Sequence, residues 1–135
     1  MSWRLYRPRR IGSGEARILR RVLEVDPEAQ PSAALLASIE QLIVHEEGGG
    51  GFQFDSLEFI PPGDFNASEI IASAIGTMVN DASVELVVWT RGDVITRLEL
   101  EPFGETRLPI RMPLLQSIRP YPADAFEEGP DTDEP

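Results

Sequence analysis

The stretch Ser83 to Glu101, Ser-Val-Glu-Leu-Val-Val-Trp-Thr-Arg-Gly-Asp-Val-Ile-Thr-Arg-Leu-Glu-Leu-Glu, decides how this chain folds. Two runs rich in β-branched and aromatic side chains flank Gly92, the pattern of a β-hairpin. Neighbouring strand residues face opposite ways, so parity tests the loop length. A two-residue loop would set Leu86 and Val88 opposite Glu99 and Arg97, mixing charge into an apolar face. A three-residue loop of Arg91, Gly92 and Asp93 pairs Val88 with Thr96, Leu86 with Leu98 and Val84 with Leu100, and Gly92 supplies the left-handed position. Val84, Leu86, Val88, Leu98 and Leu100 then form the core face.

The opposite face carries Val87, Trp89 and Ile95 beside Glu85, Arg97, Glu99 and Glu101. A two-layer domain needs one apolar face, so the surplus has the composition of an interaction surface, an aromatic anchor ringed by charge. The competing reading is that the N-terminal arm or the proline-rich segment covers Trp89. Glu85 and Glu99 are expected to face each other, and like charges in that position raise one pKa toward general-acid use. Arg97, adjacent on the same face, is expected to bridge them at a solvated surface, and the chain is short for a sugar cleft.

A chain of 135 residues with 41% hydrophobic content fits one domain with a proper core. The absence of cysteine excludes a disulfide framework, a thiolate zinc site and a cysteine nucleophile. All twelve basic residues are arginine, which excludes a phosphate-loop lysine and Schiff-base chemistry and is explained most simply by a GC-rich genome. The net charge of −11 is uneven, because residues 1–21 hold seven arginines against Glu15 alone. The acidic remainder repels nucleic acid and would steer a basic protein partner. No apolar run is long enough for a membrane span and no signal-peptide core follows the first arginines, so a cytoplasmic protein with no membrane association is expected.

In chain order, residues 1–12 read as an extended basic arm. Ser13 caps a helix running to about Val25, with Glu15 in its first turn and Ile18, Leu19, Val22 and Leu23 buried. Arg17, Arg20 and Arg21 line its other face, where they could answer the acidic C-terminal tail. Pro31-Ser32 opens a shorter helix to about Glu40, burying Leu35, Leu36 and Ile39. Leu42 to Glu46 reads as a strand leading into Gly48 to Gly51, after which Phe52-Gln53-Phe54-Asp55 resumes strand alternation until Pro61-Pro62-Gly63-Asp64. Residues 66–78 satisfy two periods: Asn66 and Glu69 suit a capping box ahead of Ile70, Ile71, Ala74, Ile75 and Met78 at helical spacing, whereas the β-branched Ile70, Ile71, Ile75, Thr77 and Val79, with Gly76 in the middle, favour a strand. Pro102 ends the second hairpin strand, and a wrapping segment with Leu108, Ile110, Leu114, Leu115 and Ile118 packs down behind it. Residues 1–122 form the expected domain, and 123–135, with six acids and no base, a disordered acidic tail.

No catalytic constellation accompanies this organisation. His45 is the only histidine, no Gly-x-Ser-x-Gly elbow presents a serine, and a metal site on His45, Glu47 and Asp55 would be oxygen-rich and weak. The glycine run lies between Glu47 and Phe52 rather than ahead of a helix, the context of a flexible hairpin loop rather than a phosphate cradle. The expectation is a protein that is not an enzyme, with no cofactor and no metal.

Gly48 to Gly51 with Phe52-Gln53-Phe54, the Asn80-Asp81 turn, Val84 to Trp89, Gly92 and Leu98-Glu99-Leu100-Glu101 together resemble a family of small uncharacterised bacterial domains, a domain of unknown function. The resemblance spans residues 42–102, and Ala82 stands where that family tends to have glycine. It implies helices first, a strand over 66–78 and a closing meander. In size and style such domains are similar to immunity proteins that bacteria use against polymorphic toxins. The expected architecture is α+β, with two N-terminal helices packed on an antiparallel meander sheet of about five strands. The expected function is a non-enzymatic binding protein, an immunity-type inhibitor of a basic toxin domain, with Glu85, Trp89, Arg97, Glu99 and Glu101 as the partner-binding residues. Two alternatives stand beside it. One is a small-molecule binder with a pocket between helices and sheet lined by Phe52, Phe54 and Leu98; the other is a homodimer joining the arginine-rich arm to the acidic tail.

Overall fold

Helix α1 spans Ser13–Val25 and buries Ala16, Ile18, Leu19, Val22 and Leu23, the three-and-four spacing of one helix face. The computed structural model describes residues 8–47, 56–59, 68–79, 81–102 and 112–121. The glycine run, Phe52 to Asp55, Leu108, Ile110 and the acidic tail lie outside the described residues. Ser13 is not the cap, because it is already helical and Gly12 holds the cap position. Glu15 closes the helix start instead: its carboxylate accepts the Gly12 N–H at 2.7 Å and both Arg9 guanidinium donors at 2.8 and 3.0 Å. Burial pushes the Glu15 carboxyl up, but the bonds from Arg9 and Gly12 outweigh it and leave the pKa lowered. At the other end Asp26 accepts the Glu28 N–H at 2.9 Å and, through its second oxygen, the Ser73 N–H of the sheet at 2.8 Å.

Helix α2, Ala33–Ser38, is shorter than its sequence pattern suggests and tightens into a 3-10 turn over Ile39–Gln41. The Ser32 hydroxyl accepts the Leu35 N–H at 3.0 Å, the expected cap. Arg20 reaches across from α1 to the Leu36 carbonyl at 3.1 Å and to both Glu40 oxygens at 2.6 and 3.0 Å. The arginine face of α1 is thus answered close at hand by Glu40. The Glu40 bond raises the Arg20 pKa and lowers that of Glu40.

The strands among the described residues are β1 (Arg9–Arg10), β2 (Ile43–Val44), β3 (Glu46–Glu47), β4 (Ser56–Glu58), β5 (Glu69–Thr77), β6 (Ser83–Arg91), β7 (Val94–Pro102) and β8 (Arg119–Pro120). The arm strand β1 pairs with β2, and the main antiparallel sheet runs β3-β4-β7-β6-β5-β8. The mixed helix-and-sheet class therefore holds, with corrections. Only β5, β6 and β7 form a meander; β4 joins the far side of β7, so the chain crosses the sheet between β4 and β5. The expected single strand over Leu42 to Glu46 is broken at His45, whose N–H donates to the Glu58 carbonyl at 2.7 Å.

Residues 69–77 are strand, as the resemblance implied. The helical pattern would bury Ile70, yet Ile70 is 56% exposed while Ala72, Ala74 and Met78 alternate into the core. Strand pairing on both sides satisfies a backbone rich in β-branched residues.

In the hairpin the loop has two residues, Gly92 at φ 63° and Asp93, with Arg91 opposite Val94 and Thr90 opposite Ile95. Such a loop alone would give the mismatch that parity forbids. Between Ile95 and Arg97 the register shifts, so that Trp89 faces Arg97, Val88 faces Leu98, Leu86 faces Leu100 and Val84 faces Pro102. Thr96 is the extra residue of a β-bulge that absorbs the odd position. The three-residue-loop pairings are therefore displaced by two, which preserves every face assignment except one: Ile95 is fully buried opposite Thr90, on the core side rather than beside Trp89. Thr96 is buried too, its hydroxyl 2.8 Å from that of Ser68 and its carbonyl accepting the Phe59 N–H at 2.9 Å. The Ser32 hydroxyl donates to Asp93 at 2.8 Å, which ties the turn to the start of α2.

The core fills the space between helices and sheet with Leu19, Val22, Leu35, Ile39, Leu57, Val84, Leu86, Val88, Leu98, Leu100 and Ile118. Pro102 ends β7 as expected. Of the wrapping segment, Ile118 is buried and Leu115 packs partly, but Leu114 points outward at 39% exposure. This segment sits close against β5: a Cβ on Gly76 would lie 2.8 Å from the Pro113 Cβ. Gly76→Val is expected to destabilise the protein by about 1–3 kcal/mol through overpacking, measured as a lower urea midpoint at unchanged slope; an unchanged midpoint would contradict this close packing.

Candidate functional site

Residues directly opposite on neighbouring strands share a face, so the ladder registers define what stands on the side of the sheet away from the core. Three rows cross it. One is Arg119, Ile75, Glu85 and Glu101; the next is Ser73, Val87, Glu99 and Ser56; the third is Ile70, Trp89, Arg97 and Glu58. Arg91 and Val94 follow beyond Trp89 at the hairpin end. Val87 is buried yet stands outside the core cluster, which marks this as a second, separate face.

All five residues expected to contact a partner, Glu85, Trp89, Arg97, Glu99 and Glu101, stand on this outer face, but their pairings differ from the expectation. Glu85 faces Glu101, and Glu99 faces Val87. Arg97 does not bridge Glu85 and Glu99. It donates through Nε to Glu58 on β4 at 2.7 Å, in a half-buried pair. Glu99 is instead engaged by the Trp89 indole N–H at 2.9 Å. Each bond fixes a long side chain against the sheet. The bulge moves the register of β7 against β6 by two and so brings Arg97 level with Trp89, while the pairing of β4 with β7 sets Glu58 beside Arg97.

Burial raises the Glu85 carboxyl first, and the charge of Glu99 adds to it. The Tyr121 hydroxyl, just past β8, is raised by burial and by the charge of Glu85. The face is thus graded along the strands. Its hairpin end presents Ile70 at 56% and Val94 at 47% exposure on either side of half-buried Trp89, and its other end gathers Glu85, Glu99 and Glu101.

Glu58, Ile70 and Val94 belong to this face and were not singled out from the sequence as contact residues. Glu58 was hidden because only the pairing of β4 with β7 brings it level with Arg97. Ile70 and Val94 were hidden because each lies beside a bulge, where simple alternation misplaces neighbours.

His45 sits between β2 and β3, half-buried, and among the described residues no three metal-ligating side chains converge. Phe52 and Phe54 of the alternative ligand pocket lie outside the described residues, while Leu98 is fully buried in the core. Among the described residues no helix is long and apolar enough to cross a membrane. No family model, curated protein or solved structure matches this chain.

The raised Glu85 pKa fixes a pH dependence. Well below the ordinary carboxylate range the group is protonated in both folded and unfolded chains and contributes nothing; as pH rises through its folded pKa the native state carries an increasing penalty. Glu85→Gln should therefore stabilise the protein by about 0.5 kcal/mol at about pH 7, a screened surface value, and leave it unchanged at about pH 3. Thermal melts at the two pH values check this, and equal gains at both would contradict it.

Proposed function

We propose that this protein is a non-enzymatic binding protein whose outer sheet face captures a basic protein partner, in the manner of an immunity-type inhibitor of a bacterial toxin domain. One observation carries the reading: Glu85, Trp89, Arg97, Glu99 and Glu101 share a face of a sheet whose other face is already filled by the core. A tryptophan and an arginine held in place by Glu99 and Glu58 make a preorganised centre, which lowers the entropy cost of association. The chain's net charge of −11 favours a basic partner and accelerates its approach. The absent lysine and cysteine, the single histidine and the lack of a nucleophile motif support binding over catalysis.

Affinity capture with the full chain from its native host, compared with a Glu85→Lys/Glu101→Lys variant, tests the reading. The expected result is one strongly basic protein, encoded beside this gene, whose toxic activity the wild-type chain quenches at one-to-one stoichiometry and the charge-reversed chain does not. Capture that is indifferent to the charge reversal, or a neighbouring gene product whose activity the chain leaves intact, would contradict it.

A further inference from the structure

Glu40 engages Arg20 alone among the arginines of α1. With Ala16, Ile18, Leu19, Val22 and Leu23 turned to the core, the helical repeat puts Arg20 and Arg21 on opposite flanks of the exposed side and Arg17 on its crest. Arg20 leans toward α2, where Glu40 and the Leu36 carbonyl hold it. Arg21 meets Glu24 at 3.8 Å, in a pair whose side chains are 43% and 67% exposed. Arg17 is exposed and makes no hydrogen bond or ion pair among the described residues. Arg17 and Arg21 are four residues apart, the spacing at which like charges meet on one helix face and destabilise it.

The path of the chain brings opposite charge to this flank. Helix α2 packs on β7, whereas α1 packs on β5 and β8, so the edge strand β8 lies on the side of α1 away from α2, where Arg21 stands. Pro120 is opposite Ala74, and the neighbouring Ser73 is bonded to Asp26 at the end of α1. The described chain therefore leaves β8 beside the last turn of α1. The fourteen residues that follow, 122 to 135, carry six acids and no base. Fourteen residues reach about 45 Å when extended, against about 20 Å for the length of α1. Arg119, the nearest cation along the chain, stands with Ile75 on the outer side of the sheet and donates to the Ser117 carbonyl at 2.9 Å.

We propose that the acidic segment 123–135 occupies the arginine face of α1 as an internal counter-charge, seating carboxylates at Arg21 and Arg17 and closing that face to polyanionic partners. A tethered segment has an effective concentration on the order of millimolar, which sustains a contact made of exposed ion pairs that would be weak between separate molecules. The contact does not depend on the partner of the outer sheet face.

The chain has no cysteine, so Gly129→Cys provides a single site for a nitroxide label on the full chain. Paramagnetic broadening of backbone amides then reads which surface the segment visits. At about 0.01 M salt the amides of Arg17 to Arg21 are expected to lose more intensity than those of α2 and β7. The excess should vanish at about 1 M salt, where charges are screened beyond about 3 Å, and in Arg17→Gln/Arg21→Gln. No excess at α1, or an excess that survives the double substitution, would overturn the inference. So would a loss abolished by Arg4→Gln/Arg7→Gln instead, which would assign the segment to the arginines ahead of β1. Broadening of an isotope-enriched, unlabelled chain mixed with a labelled one would overturn it as well, by placing the contact between two copies.

Discussion

The register of β6 against β7 governs everything else in this protein, and Thr96 sets it. A two-residue turn at Gly92 and Asp93 would place Glu99 and Arg97 opposite Leu86 and Val88, putting charge into the core. The bulge at Thr96 takes up one residue and returns the strand to the parity in which Leu98 and Leu100 face inward. Its own carbonyl and hydroxyl are satisfied by Phe59 and Ser68, so the irregularity leaves Thr96 with partners for both groups. The turn is itself tied to α2 by the Ser32 hydroxyl, which caps the helix and donates to Asp93 at once. Asp26 makes the equivalent tie between the end of α1 and β5. Two polar side chains at helix boundaries thus hold the helical layer in register with the sheet.

Much of this was legible from residue order. The periodicity of Ile18, Leu19, Val22 and Leu23 specified α1, and parity alone sorted Val84, Leu86, Val88, Leu98 and Leu100 onto the core face. What sequence parity could not distinguish was a three-residue loop from a two-residue loop with a bulge, because beyond the bulge the two solutions send the same even positions inward. They differ at Val94 and Ile95, which exchange faces, and in which side chains stand opposite one another. The partner of Arg97 was illegible for a different reason: Glu58 arrives from a strand that is remote in sequence and joins β7 only after the chain has crossed the sheet. The helix cap was misplaced because a glutamate reaching back to Gly12 can replace a serine cap, and the local pattern Ser-Gly-Glu allows either.

The outer face follows from the same constraint. Once the core is satisfied on one side, the odd positions of β6 and β7 are left to gather Trp89, Arg97 and the carboxylates into rows. Pairing Trp89 with Glu99 and Arg97 with Glu58 commits two of the acids structurally, while burial and the charge of Glu99 raise the Glu85 carboxyl.

A bulge at Thr96, and not a longer loop, sets which residues of the hairpin stand on the core face and which on the outer face. Cross-strand Hα–Hα contacts in the nuclear Overhauser spectrum measure that register directly. The bulged register predicts contacts from Leu86 to Leu100 and from Val88 to Leu98. Contacts from Leu86 to Leu98 and from Val88 to Thr96 would contradict it, returning Ile95 to the outer face and separating Trp89 from Arg97.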